Sequence, residues 1–266
     1  MAQLDFRQLQ AQVTRSDIKP LYCFHGEEVF LVDEALAQLK EKALDGGLPD
    51  FNLNVFYAAD ASIESIIDAV ETLPMMAARR VVIVREAQEL NASDLEKLLR
   101  LIENPVDSTT LILVATKIDM RKKFFKVFEA KGVIVKFQKL FENQVLPWIQ
   151  HIAQKYDKTI AGDAIELLKE CVGANLIDIN NEIRKLAQFL GERKAIEVED
   201  IRNVVSRVRV DTVFEFVNCL GQANAADSFL HLANLLDHGQ NEVGVLAMIT
   251  RHFRILTLCK EALKEG

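Results

Sequence analysis

Between residues 21 and 138, five short apolar runs recur with helix-patterned stretches between them: "LYCFHG" (21–26), "FNLNVFYA" (51–58), "RRVVIV" (79–84), "TTLILVAT" (109–116) and "GVIVKFQ" (132–138). Runs this short and this continuously apolar read as strands buried on both faces. Strands alternating with helices read as β-α units on a parallel sheet. The connecting helices carry their own signals. In 62–72, Ile63, Ile66, Ile67 and Val70 follow i, i+3, i+4, i+7 spacing behind Ser62 as N-cap. The next helix is expected to open on Ser93 and Glu96 as a capping box, to bury Leu95, Leu98, Leu99 and Ile102, and to stop before Pro105. The expected product is a doubly wound α/β domain.

All five prolines (Pro20, Pro49, Pro74, Pro105, Pro147) lie in the first 147 residues, and beyond Phe141 the periodicity is helical throughout. That change divides the chain into an α/β domain at 1–140, a small helical bundle at 141–209 and further helices at 210–266. The stripe Val243, Leu246, Ile249, Phe253 and Leu256 belongs to the last part, whose three helices are too few to close a bundle. The chain is therefore expected to be shortened at its C-terminus and to expose apolar surface there.

Several function classes fall away. Formal charges of −3 and −4 on either side of residue 140 make neither part a basic body that coats nucleic acid, so any such contact is local. Cys23, Cys171, Cys219 and Cys259 are scattered, which suits a reducing cytoplasm rather than a disulfide framework or a zinc site. No run approaches a membrane span, and the N-terminus lacks a signal-peptide pattern. The histidines form no metal-ligand spacing; His25, beside Gly26, is the one at a candidate site.

An α/β domain followed by helices raises the question of a nucleotide-driven ATPase. Such a domain needs G-x-x-x-x-G-K-[ST] after its first strand, so that backbone N–H groups cradle phosphates, Lys neutralises them and a hydroxyl holds magnesium. Here Gly26 is followed by Glu27 and Glu28, with no Lys or hydroxyl in place. Acidic residues at that point suit a plain helix N-terminus, not a triphosphate. The third strand ends in Val84, Arg85 and Glu86, a poor magnesium ligand set.

The order of "YCFHGEEVFLVDEAL", "TLPMMAARRVVIV", "TTLILVATKIDMRKKFFKVFEAKG" and "LANLLDHGQNEVGVLAMITRHFRIL" closely resembles the delta subunit of the bacterial DNA polymerase III clamp loader, over nearly the whole chain. The resemblance implies an N-terminal α/β domain of AAA+ (RecA/Rossmann-like, P-loop NTPase-type) fold with a parallel sheet, then a small helical lid and a partial all-α C-terminal collar. It implies a cytoplasmic protein with no cofactor and no catalytic site of its own, a subunit of a DNA-directed DNA polymerase (nucleotidyltransferase) holoenzyme. Its partners would be the sliding clamp (beta subunit), the other clamp-loader subunits in a hetero-pentamer, and primer-template DNA, with no membrane. The family binds the clamp and springs one interface open. Two other readings stand beside it: an active AAA+ ATPase with a degenerate phosphate loop, and a helical nucleic-acid-binding adaptor.

Within that resemblance, Leu73, Pro74, Met75 and Met76 match the clamp-binding wedge, Met75 and Met76 being the inserted apolar pair. From the residues alone, the two methionines either pack under the sheet or are displayed, since Met fills irregular core gaps and also builds adaptable binding surfaces. Clamp-binding peptides commonly begin with Gln and end with an aromatic, whereas here Glu71 and Met76 hold those ends. The run 121–139 carries seven Lys or Arg against Glu129. Arg121, Lys122, Lys123 and Lys126 are either phosphate contacts or a solvated helix face, and Phe124, Phe125 and Phe128 have the spacing of core residues. Glu129, Ala130, Lys131 and Gly132 stand where ATP-hydrolysing loader subunits carry Ser-Arg-Cys, so no arginine finger is expected.

Overall fold

The computed structural model describes residues 4–141, 144–205, 213–237 and 242–265. It comprises two compact units, residues 1–140 and 141–266.

In the first unit the five runs become β1 (Leu21–Gly26), β2 (Leu53–Tyr57), β3 (Arg80–Arg85), β4 (Thr109–Ala115) and β5 (Val133–Phe137). All pair in parallel, in the order β2-β3-β4-β1-β5. Alternate side chains divide between the faces. Leu21, Cys23, Val82, Val84, Leu111, Leu113 and Ile134 share a core with α4 (Ile63–Glu71), α5 (Ala92–Glu103) and α6 (Lys123–Lys131). The residues between them, such as Tyr22, Phe24, Val81 and Ile112, are buried on the face covered by α1 (Phe6–Thr14) and α2 (Val29–Leu44), where Phe137 meets Phe6 and Phe24 edge-on. Burial on both faces is why the runs of β1, β3 and β4 look uniformly apolar; β2, at the sheet edge, departs from the expectation, with Val55 and Tyr57 about half exposed. At the β5 edge, Leu4 adds a bridge, with Leu4 N–H donating to the Ile134 carbonyl and Lys136 N–H to that of Leu4.

Helix α5 starts earlier than its sequence signal. The reciprocal cap is Asn91 with Asp94, each side chain accepting the other's backbone N–H, and Ser93 lies inside the first turn. Leu101 rather than Leu99 joins Leu95, Leu98 and Ile102 in the buried face. The three phenylalanines of α6 are buried.

In the second unit α7 (Val145–Lys155), α8 (Gly162–Val172), α9 (Leu176–Leu190) and α10 (Val198–Val204) pack through Ile149, Ile152, Leu168, Ile179, Ile183 and Leu186. A feature outside the all-helical expectation is a parallel ladder of two residues per strand, β6 (Thr159–Ile160) with β7 (Ala195–Ile196). It is held from below by Lys158, whose buried ammonium donates to the carbonyls of Gly191 and Arg193.

Helices α11 (Val213–Gly221), α12 (Ala225–Asp237) and α13 (Glu242–Glu265) share a small core of Phe216, Val217, Leu235 and Val245, with Ile249 against it. The expected stripe is mostly not the buried one: Val243 and Leu246 are 74% and 62% exposed, and Phe253 and Leu256 are also exposed. The face of α13 turned to its neighbours runs through Val245 and Ile249 instead. The expected boundary at 209/210 and His238 lie outside the described residues. Among the described residues, no helix is long and apolar enough to cross a membrane.

Candidate functional site

In a parallel sheet, the loops entering strands and the loops leaving them lie at opposite ends, and this separates the candidate residues. Leu73–Met76 lies in the loop entering β3. Gly26–Glu28 leaves β1, and Arg121–Lys126 follows β4 and enters α6, so both lie at the other end.

The loop is built from its flanks inward. Ser62 caps α4, its hydroxyl accepting from Ser65 N–H, and the helix runs one apolar face into the core through Ile63, Ile66 and Val70. It stops at Glu71: Thr72 leaves helical geometry at ψ 126° while its hydroxyl donates back to the Asp68 carbonyl, and Leu73 precedes a proline, which disfavours a further helical residue. The chain then turns outward. Leu73 is 74%, Met75 51% and Met76 90% exposed, so the methionines are displayed and do not pack under the sheet.

That display is held in place from beneath. Asn52, which ends the single turn α3 (Pro49–Asn52) before β2, is completely buried. Its Oδ1 accepts from Met75 N–H at 2.7 Å, and its Nδ2 donates to the Met75 carbonyl at 2.8 Å and to the Leu48 carbonyl at 3.1 Å. Both backbone groups of Met75 are thus satisfied by one side chain. On the far side of the loop, a Cβ on Gly47 would sit 2.6 Å from Ala77 Cβ, so the turn after α2 is in direct contact with the descending strand of the loop. Met76 has φ +50°, a left-handed conformation that costs an L-residue about 1–2 kcal/mol and persists only where its surroundings impose it. Asn52 was hidden in the sequence inside a run read as strand; its one signal is "PD" at 49–50, which suits a helical first turn.

At the other end, Gly26 has φ +142°, and a Cβ there would lie 1.9 Å from the Phe137 carbonyl oxygen. That same carbonyl accepts from the N–H of Glu27 (3.1 Å) and of Glu28 (3.4 Å). The backbone donors that a phosphate loop aims at an anion are therefore turned onto β5. Partial burial pushes the Glu28 carboxyl above its ordinary range, opposed by the Leu140 N–H, the nearby Lys139 ammonium and the Phe30 N–H. His25 is buried at the end of β1, and burial, with Lys136 adding to it, lowers its basicity. Arg85, where a magnesium acid would stand, is paired at 2.8 Å with Asp33 of α2.

Arg121, Lys122, Lys123 and Lys126 are all exposed. Arg121 folds onto Asp119 through two N–H donors and holds that carboxyl down at about 2. No group of three metal-binding side chains converges among the described residues.

Residues 22–138, from β1 to the end of β5, match the family described as "DNA polymerase III, delta subunit". The chain is 28% identical to DNA polymerase III subunit delta of Bacillus subtilis, over 95% of this chain and 76% of that one. It is 21% identical to the probable DNA polymerase III subunit delta of Aquifex aeolicus, over 95% of this chain and 74% of that one. The structure of the Bacillus subtilis DNA clamp loader delta protein superposes with a TM-score of 0.66 at 26% identity, covering 98% of this chain and 80% of that one.

Proposed function

We propose that this chain, whose residues 22–138 match the DNA polymerase III delta-subunit family, acts as such a subunit, binding the sliding clamp through Leu73, Pro74, Met75 and Met76 and opening it for loading on primed DNA. The observation that carries this reading is a loop at the foot of the sheet whose apolar side chains stand in solvent while its backbone is fixed by a buried amide. Exposed apolar side chains on a rigid support are what a hot spot requires, because little ordering cost is left to be met on binding.

The reading extends to the rest of the molecule. The chain works beside the other clamp-loader subunits in the cytoplasm, with three parts at 1–140, 141–209 and 210–266, the exposed apolar residues of α12 and α13 serving assembly. It takes no nucleotide at Gly26–Glu28, where the Phe137 carbonyl already holds the backbone donors; that geometry favours this reading over an active ATPase. Lys123 and Lys126, which form no ion pair among the described residues, suit the phosphate backbone of enclosed DNA, Lys122 and Arg121 less so, since both act on Asp119 and Arg121 is paired with it. Titration of the chain against the sliding clamp tests the central claim. Saturable binding that is lost on replacing both methionines supports it; no binding, or binding indifferent to the replacement, overturns it.

A further inference from the structure

We infer that Asn52 is the positioning residue of the clamp-binding loop: by pairing with both backbone groups of Met75 from the foot of β2, it holds Met75 and Met76 in the displayed conformation. The inference rests on the proposed role of Leu73–Met76 and adds a residue 23 positions away in sequence.

Three observations carry it. Burying a side-chain amide is unfavourable unless its donors and acceptor are met, and Asn52, with no exposed surface, directs two of its three bonds to a single residue of an otherwise exposed loop. The two-point contact, N–H to Oδ1 and carbonyl to Nδ2, imitates a neighbouring strand, so it fixes the orientation of the Met75 peptide units as well as their position. The orientation of the amide is unambiguous, since Met75 N–H requires an oxygen and the Leu48 and Met75 carbonyls require N–H donors. Finally, Met76 follows immediately with φ +50°, a conformation the chain would leave if Met75 were free to rotate.

No other residue of the loop has side-chain support of this kind among the bonds the structure gives it: Thr72 bonds back into its own helix, and Leu73, Met75 and Met76 project into solvent. The contact of Gly47 with Ala77 limits sideways movement of the loop but sets no dihedral angle at Met75. Asn52 itself is buried and touches no clamp residue in this scheme; it acts through the loop alone.

The test is a double-mutant cycle read by clamp titration on the full chain. Asn52→Ala is expected to weaken clamp binding about tenfold, the scale of leaving a buried backbone pair unmet. In the Met75→Ala, Met76→Ala background the same change should have under about twofold effect, because the side chains it positions are gone. Hydrogen exchange at the Met75 amide should accelerate in Asn52→Ala while amides of β1 and β4 keep their protection. Should Asn52→Ala fail to fold, Asn52→Asp replaces it in the cycle. It keeps the acceptor for Met75 N–H but sets a carboxylate against two carbonyls, and the same loss is expected. Equal weakening in both backgrounds, or unchanged binding in the first, overturns the positioning role. If the methionine double variant itself binds like the wild type, the clamp assignment of the loop falls instead, whatever Asn52 does.

Discussion

Replacing both Met75 and Met76 with Ala separates display from packing, and the structure sets the size of each effect. Met76 is 90% and Met75 51% exposed. Fully burying a methionine is worth roughly 1.5–3 kcal/mol, so on contact with a partner the first has nearly the whole of that to gain and the second about half. The pair then carries about 2–4 kcal/mol of binding, or one and a half to three decades in Kd. Truncation effects at a hot spot do not add, so the order alone is meant. The fold loses much less. Met76 contributes almost nothing to the core, and the half-exposed Met75 costs at most about 1 kcal/mol, against about 2–5 for a buried Met to Ala change. The assay pairs a thermal melt with a titration against the sliding clamp. A melt within a few degrees of the wild type with binding reduced about a hundredfold is expected. A collapsed melt would mean that the loop helps to hold up the sheet, and undiminished binding would put the contact elsewhere.

Met76→Gly should melt no lower than Met76→Ala, although Gly ordinarily costs about 0.5–1 kcal/mol against Ala, because φ +50° is free of strain only for Gly; a clearly lower melt for the Gly variant would contradict the left-handed geometry. Gly26→Ala should cost several kcal/mol or abolish folding, since its Cβ would overlap the Phe137 carbonyl, and a denaturant midpoint equal to wild type would refute the close approach. Glu28→Gln should stabilise the protein at neutral pH and do nothing in strong acid. The folded-state carboxyl is raised by burial, so its favourable protonated form is fully present below the ordinary carboxylate range and is lost as pH rises through the raised value; melts at pH 7.5 and pH 3 check the sign. Burial pushes the Cys23 thiol to about 12 while Cys259 is exposed, so a maleimide should label Cys259 in the native state and spare Cys23.

The separation of the two candidate sites in the α/β unit follows from one topological fact. Because every strand is parallel, the loop after β1 and the loop before β3 lie at opposite ends of the sheet. A domain of this architecture ordinarily binds its ligand at the carboxyl ends of the strands. Here that end has closed on itself: Gly26 lies against Phe137, the N–H groups of Glu27 and Glu28 point at the Phe137 carbonyl, and Arg85 is tied to Asp33. Display of apolar residues moves to the amino end, at Leu73–Met76. The hydrogen bonds that hold the loop come from Asn52 at the end of α3, not from the β1 turn.

What the sequence discloses depends on whether a feature is local. Strands β1, β3 and β4 were legible because burial on both faces writes an uninterrupted apolar run for each, the edge strands β2 and β5 through their apolar and aromatic content, and α4 because its cap and stripe are both local. The start of α5 was displaced because Asn91 with Asp94 and Ser93 with Glu96 offer the same capping chemistry two residues apart, and nothing local distinguishes them. The pair β6 and β7 was not legible: two residues leave no period, and what orders them is a lysine whose acceptors lie more than thirty positions on. Asn52 belongs to the same class. Read by itself it is a polar residue in a strand-like run, and only the fold brings it under Met75, where its two hydrogen bonds turn an exposed stretch of loop into a surface with a fixed shape. The composition of the loop pointed to display or to core with equal force; the choice between them was made by a buried amide that no pattern within residues 72–84 contains.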